Sequence, residues 1–533
     1  MATFRGMSHD CHDYLIIGAG PAGLQLASFL ERDGADYVVL ERGSVPGAFF
    51  TRFPRHRYLI SNNKVHTGYD DPELRLRMDW NSLLSDDPEL LFTRYSPRYF
   101  PPADDLVRYL ADFADRTGVR VRYDTAVRHV TRDAEGFTVT DQDGTRWRAR
   151  RLVVATGMPV PNLPSVPGVE LAERYDTIDT DPAAYTDQRV LIIGRGNSAF
   201  ETAENLMENA AVIHVAGSGS LRMAWRTHYV GHLRAVYNNF LDSYQLKSQN
   251  ALLDGRVLDI RRDADGYRVQ FAFERNEDVV KDLRYDRVIV ATGFRCDVSL
   301  FDETCTPDLM VDGRFPELTP LSESVNVPGL YFAGTLMQGR DFRKATTGFI
   351  HGFRYMVRAL YRGLRQRHHH EPWPATELGE TTERAVDAVI GRVNRSSALW
   401  QQFAVLGDLL TLAPDGTMRY AEEVPVAHVP DAVAAGDFGD VEAHAVVTLE
   451  YGKDHDLVDP FDVTAGRGSQ YDVSGLDGRY LHPVVRWYRQ GAFVAEHHLA
   501  SNLENEWDSE EYHRAPLRAF LAARRDAVAP VAP

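Results

Sequence analysis

The chain is poor in cysteine, with three (Cys11, Cys296 and Cys305) among 533 residues. That is far too few for a disulfide framework, so the fold has to rest on packed cores rather than on cross-links. No redox pair is present either. Cys296 and Cys305 stand nine positions apart, and Cys11 is remote from both. The C-x-x-C and C-x4-C spacings that dithiol exchange uses are absent, which sets that chemistry aside. Long apolar runs are also missing, since none approaches the roughly 20 residues that span a bilayer. Net positive charge is lacking: 76 acidic against 59 basic residues leave a formal charge of −17. A nucleic-acid or anionic-membrane binder needs a broad basic face, and this composition excludes one. Residues 1–13 carry no apolar h-region, and the ending Ala-Pro-Val-Ala-Pro carries no retention address. The expectation is a cytoplasmic chain with no membrane or nucleic-acid partner. No metal site is expected, and His368-His369-His370-Glu-Pro reads as a solvated linker.

What is present is the composition of an ordinary globular protein, 44% hydrophobic and 25% charged, at a length that predicts two or three domains. Asp13-Tyr-Leu-Ile-Ile-Gly18 is an apolar run ending in glycines, which predicts a buried parallel strand. A helix over 21–32 and a strand over 37–40 complete a βαβ unit. The same grammar returns at Arg189-Val-Leu-Ile-Ile-Gly194, with a helix over 197–208 and a strand over 212–215. Further strands are predicted at 119–123, 137–140, 152–155, 267–273 and 288–290, and a helix over 347–367. Beyond the linker, a helix over 381–410 and strands at 445–451 and 483–488 make a C-terminal region without a catalytic motif. Scaffolding, or a homodimer surface, is its expected role. The expected class is α/β: two Rossmann-like dinucleotide units, the second inserted into the first, plus a C-terminal α+β region. The boundaries are 1–175 and 295–367 for the first unit, 176–294 for the second and 375–533 for the third.

Gly18-Ala-Gly20-Pro21-Ala22-Gly23 matches G-x-G-x-x-G between a strand and a helix. The glycines allow a tight turn, close approach to a pyrophosphate and close helix–strand packing, while the helix N-terminus faces the phosphates. Glu41 ends the next strand, placed to hydrogen-bond ribose hydroxyls, with Arg42 beside it. Gly194-Arg-Gly196-Asn197-Ser198-Ala199 repeats the fingerprint, but Ala216 or Gly217 stands where Glu41 stood. With no acid to repel a 2′-phosphate, and with Ser218, Ser220, Arg222 and Arg226 following, NADPH is favoured over NADH.

Two strands end in Ala-Thr-Gly, at Thr156 and Thr292, and a third ends Ala-Gly334-Thr335. This resembles the two-dinucleotide-binding-domain flavoproteins, which implies FAD in the first unit and a nicotinamide cofactor in the inserted one. That family usually has Asp where Thr335 stands. The helix opening near Gly348 would aim its dipole at the flavin, with His351 and Arg354 in its first turns serving either the flavin or packing. His228, Tyr229, Tyr244 and Lys247 line a substrate or nicotinamide pocket, or are satisfied structurally.

Gly47-Ala-Phe-Phe50-Thr-Arg-Phe-Pro54, followed by Arg55-His56-Arg57, resembles a region of the class B flavin monooxygenases, and Asn62 or Asn63 falls where some members carry a flavin-proximal Asn. The resemblance implies that NADPH reduces FAD, that oxygen adds at C4a, and that a buried amide protects the C4a-(hydro)peroxyflavin while a small molecule is oxygenated. Asn62, Asn63, His56 and Arg57 are the catalytic candidates, with loop capping the alternative for either asparagine. The His of the F-x-G-x-x-x-H element is absent from Val166-Pro-Gly-Val-Glu-Leu-Ala-Glu-Arg-Tyr175. An NADPH reductase or oxidase without oxygen insertion, and a redox-sensing flavoprotein that holds a protein partner, therefore stay open. Longer stretches, among them Phe49-Phe-Thr-Arg-Phe-Pro-Arg-His-Arg57, Asp79-Trp-Asn-Ser-Leu-Leu84 and Gly348-Phe-Ile-His-Gly-Phe-Arg-Tyr355, resemble the endoplasmic-reticulum flavoproteins associated with degradation. That resemblance implies a shared fold and cofactors, in a cytosolic, bacterial-type relative.

Overall fold

The structure, a computed structural model, describes residues 11–247, 249–274, 279–463, 480–501 and 504–527. The first ten and last six residues, to which the readings on leader and retention address largely refer, lie outside that set.

Strand His12–Ile17 buries both faces. Tyr14 and Ile16 enter one core and Leu15 and Ile17 another, the period-2 alternation of a strand sandwiched between layers. Around it forms a seven-stranded sheet. Val121–Arg122, Tyr37–Leu40, His12–Ile17 and Arg146–Val154 run parallel, and an antiparallel pair, Gly136–Asp141 and Val127–Asp133, extends the sheet. Leu330–Phe332 returns much later in the chain to lie parallel to the end of Arg146–Val154.

The inserted unit repeats this plan. Its seven-stranded sheet is centred on Arg189–Ile193, where Val190 and Ile192 face one core and Leu191 and Ile193 the other. Glu173–Arg174, Arg287–Val290, Arg189–Ile193, Val212–Gly217 and Ala251–Asp263 are parallel, followed by antiparallel Gly266–Phe273 and Val280–Tyr285. The chain enters and leaves through a two-stranded tether, Val160–Pro161 paired with Phe294–Arg295.

The C-terminal region is a six-stranded antiparallel sheet. Helices Thr382–Arg395 and Ala515–Asp526 cover one face. The other face shares its core with the first unit: Leu406, Leu409, Ala421 and Val424 join Tyr355, Met356 and Leu360 of helix Ile350–His369. Across this seam Glu423, 2% exposed by its side chain, pairs with Arg358 and Arg362. Burial opposes ionisation of Glu423, but the guanidiniums of Arg358, Arg362 and Arg392 outweigh it and hold the carboxyl below its ordinary value.

Two sequence expectations change. The helix over 381–410 is Thr382–Arg395 and Ser397–Gln401, and then Leu406–Leu412 is a strand, buried throughout. The run Leu-Gly-Asp-Leu-Leu-Thr-Leu is too short to show a clear period of 2 or of 3.6, so partner strands decide its conformation. The histidine tract is not a free linker. His368 Nε2 and His369 Nε2 bond the hydroxyls of Tyr331 (2.9 Å) and Tyr14 (2.8 Å), closing the long helix against the first sheet. No helix among the described residues is long and apolar enough to cross a membrane.

Candidate functional site

Each glycine of the first loop has its own geometry. Gly18 has φ +105°, and a Cβ there would lie 2.7 Å from the Ala155 carbonyl oxygen; a Cβ at Gly23 would lie 2.0 Å from the Gly18 oxygen. At Gly20 a Cβ would meet nothing within 4 Å. The outer two glycines are required by the protein's own packing, whereas the middle one fronts open space, as a pyrophosphate cradle requires. Pro21 opens helix Pro21–Arg32, and Ala22 is buried beneath Gly334. Glu41, buried, accepts the Ala19 N–H (2.7 Å) and the Gly43 N–H (2.8 Å), so the acid ties the loop to the strand end. Arg42 is exposed and Thr156 half-buried. Thr335 donates to the Gly348 carbonyl (3.2 Å), which joins the third strand end to the start of helix Ile350–His369. These residues fit FAD by the chemistry of the donor set and by the space at Gly20.

The segment carrying the catalytic candidates wraps the junction of the two units. Phe50 packs edge-on to Phe49, and its carbonyl accepts from Arg57, whose guanidinium also pairs with Asp104. His56 bonds Thr202 on the helix of the second loop (3.3 Å), and burial, with Arg55 nearby, brings it down to about 4, so it is neutral at pH 7. Asn63 is 1% exposed, and its amide donates to the carbonyls of Ser96 (2.7 Å) and Arg98 (3.0 Å). Asn62 instead accepts from Arg234 (3.0 Å).

Arg234 has no sequence motif around it, yet it links the units. Its backbone N–H donates to Asn197 of the second loop, its guanidinium to Ile60 O and Asn62, and that cation lies 5.3 Å from the Trp80 ring centre. On Trp80 stacks His351, centroids 4.3 Å apart. His351 is fully buried, with neither ring nitrogen hydrogen-bonded among the described residues. Burial first, then Arg354 and Arg234, hold it well below the ordinary value, so it is neutral. Arg354, entirely buried, donates to the carbonyls of Leu76, Asp79 and Ser82, a packing role.

A cleft of about 1270 Å³ runs from the second glycine loop to the flavin unit. Gly194, Gly196, Asn197, Ser198, Ser218 and Arg222 line one end, Thr292 stands along it, and Thr335, Gln338 and Phe349 line the other. At Gly196, as at Gly20, a Cβ would meet nothing within 4 Å. Tyr229 crosses between the units, accepting from Gln338 Nε2 (2.6 Å). His228 turns away, stacking on Tyr451 of the C-terminal region (4.2 Å) and lying beside His455, while Trp225 packs on Phe461 and Arg226 donates to the Leu457 carbonyl. Tyr244 and Lys247 end an outer helix, Asn238–Lys247.

Sequence reasoning missed Glu201, on helix Asn197–Leu206. Burial drives its carboxyl up to about 7, against the Tyr175 hydroxyl (2.8 Å) and the His56 backbone amide, which pull it down. Thiol chemistry has no support here. All three cysteines are free, and burial pushes Cys305 up to about 11 and raises Cys296.

Residues 15–334 match the family described as pyridine nucleotide-disulphide oxidoreductase. Over 562 residues the chain is 40% identical to FAD-dependent oxidoreductase domain-containing protein 2 of Mus musculus, covering 96% of this chain and 84% of the relative. The Danio rerio protein of that name is 38% identical over 96% of this chain and 83% of its own length. The chain belongs to this family. The chain is thus an FAD-dependent oxidoreductase. Solved structures share the fold: a bacillithiol disulfide reductase from Staphylococcus aureus (TM-score 0.53, 20% identity, 67% of this chain and 99% of that one) and a flavin-containing monooxygenase from Stenotrophomonas maltophilia (0.51, 20%, 66% and 97%).

Proposed function

We propose that this member of the family takes electrons from NADPH and oxygenates a small molecule, NADPH, H⁺, O₂ and substrate giving NADP⁺, water and the oxygenated product. The assignment of residues 1–175 and 295–367 to FAD, 176–294 to NADPH and 375–533 to scaffolding is part of the same reading. Bound FAD would accept hydride from the nicotinamide and pass the electrons to oxygen. The chain's residues do the rest. Gly20 and the N-terminus of Pro21–Arg32 receive one pyrophosphate, and Gly196 with Asn197–Leu206 receives the other. Arg234, Asn62 and Trp80 brace the wall between them, and Tyr229 with Gln338 closes the opposite side. His56 and His351 are neutral, so the junction adds no proton-donating imidazolium.

The observation that carries the reading is the cleft, which joins the second glycine loop to Thr335 and Phe349 without interruption. Relatives named indole-3-pyruvate monooxygenase, 28% identical over 38% of this chain in Arabidopsis thaliana, support oxygen as the acceptor. A second reading, NADPH oxidation without oxygen insertion, is favoured by one observation: the Asn63 amide donors are already committed to Ser96 and Arg98. Mixing the FAD-loaded protein anaerobically with NADPH should bleach the visible flavin band. In air, peroxide released per oxygen consumed should then fall when an accepted amine, ketone or thioether is present. Quantitative peroxide recovery across such a panel supports the oxidase reading, and an unbleached flavin supports a redox-sensing flavoprotein.

A further inference from the structure

We propose that Arg195, between the first two glycines of the second loop, is the residue that selects a 2′-phosphorylated nicotinamide dinucleotide over its unphosphorylated form. The inference rests on the reading of the inserted unit as an NADPH site and names the group responsible for the preference.

The two units are built alike, so they can be compared position by position. In the first, the residue between the glycines is Ala19, whose N–H is taken by Glu41 at the end of the next strand. A carboxylate in that place accepts hydrogen bonds from ribose hydroxyls and repels phosphate. In the second unit the strand Val212–Gly217 ends without an acid. Its last residue is overlaid by Arg195: a Cβ at Gly217 would lie 3.0 Å from Arg195 Cγ and 3.1 Å from Cδ. Loss of the acid, a glycine at the strand end and an arginine in the loop form one arrangement. It replaces a negative group by a positive one where the adenosine ribose would lie.

The guanidinium is held in place. Nη1 donates to the Gly219 carbonyl, and Nη2 to the Leu253 carbonyl (2.8 Å) and the Asp254 carboxylate. The Arg195 side chain is 11% exposed and Asp254 39% exposed, so the pair fixes the guanidinium while part of the carboxylate faces solvent. Of its five N–H donors those bonds use three, and Nε is covered by the protein itself, which leaves the second N–H of Nη1 for a ligand. Gly217, Ser218 and Arg222 stand beside it in the same cleft. A fixed guanidinium with a donor in reserve, next to a hydroxyl and a second guanidinium, suits a dianionic phosphate. It offers no acceptor to a bare 2′-hydroxyl.

Adenosine 2′,5′-bisphosphate and 5′-AMP isolate this end of the cofactor, and their binding to the FAD-loaded protein can be measured by calorimetry without turnover. The wild type should bind the bisphosphate more tightly. Arg195→Met keeps the stem over Gly217 and removes the charge. It should weaken the bisphosphate on the order of 10- to 100-fold, as for loss of a charge-assisted hydrogen bond, while AMP stays within about twofold. Arg195→Lys should fall between, and the flavin spectrum should not change in either variant. An undiminished bisphosphate preference in Arg195→Met would overturn the role of Arg195 and leave the NADPH reading standing. Equal loss of both nucleotides would make Arg195 a structural residue only. A wild type that binds the two nucleotides equally would overturn both.

Discussion

Replacing Glu201 by Gln should make the protein clearly more stable at pH 8 and much less so at pH 5. Glu201 sits 8% exposed on the helix that follows the second glycine loop, with one carboxylate oxygen bonded to Tyr175 and the other without a hydrogen-bonded side-chain or loop partner among the described residues. In the unfolded chain the carboxyl titrates near 4.5, and in the fold near 7. The folded state therefore holds the proton more tightly. Its stability is complete below about pH 4.5, falls as pH rises through 7, and is level above that. At about 1.36 kcal/mol per pH unit of displacement, ionisation costs the fold about 3 kcal/mol. Glutamine has the same shape, still accepts from Tyr175 and never ionises. Calorimetry of the FAD-loaded protein from pH 5 to 8.5 reads the effect as a difference between two curves, which cancels every other titration. For 533 residues melting together, 3 kcal/mol corresponds to about 3 °C at pH 8, and more if the inserted unit melts separately. Parallel curves, or a variant that melts lower at pH 8, would refute the reasoning.

The glycines of the first loop should separate cofactor from fold. Gly20→Val, entering open space, should leave the FAD-free protein's melting unchanged and weaken FAD by about 1–3 kcal/mol, roughly 5- to 150-fold in Kd by fluorescence titration. Gly23→Val, with its Cβ 2.0 Å from the Gly18 oxygen, should fail to give soluble, folded protein. Glu423→Ala leaves the half-buried Arg358 and Arg362 without their shared counter-ion and should cost up to about 3–5 kcal/mol in denaturant unfolding. Replacing Cys11, Cys296 and Cys305 together by Ser or Ala should leave NADPH-driven flavin reduction within about twofold in stopped flow, since the three form no pair and burial raises Cys296 and Cys305.

The two glycine loops and their strands were legible in the sequence because the constraint is local. A tight turn, a crowded Cβ and a helix start each demand a residue type at a fixed offset, and helix Pro21–Arg32 begins and ends where the pattern placed it. Arg234 was not legible. Its partners, Ile60 and Asn62, Trp80 and Asn197, come from three separated segments, and no spacing announces their meeting. Leu406–Leu412 was misread for a related reason: its strand form is dictated by neighbours at 418–425 and 443–450, not by its own residues. Sequence reasoning leaves His228 open between a pocket residue and a structurally satisfied one, and reads Arg226 as a phosphate donor, because they are polar and follow the loop. The C-terminal region, whose approach no motif signals, takes both.

That approach bears on how the protein moves. The chain enters and leaves the inserted unit through the pair Val160–Pro161 and Phe294–Arg295, a two-stranded hinge that the bonds of Arg234 to Ile60 and Asn62 and of Gln338 to Tyr229 already steady. The stack of His228 on Tyr451 and the packing of Trp225 on Phe461 add an anchor contributed by a different part of the chain. A hinge pinned at a further point becomes a strut. The orientational entropy that a swinging unit would lose at every encounter between donor and acceptor is here lost once, when the chain folds.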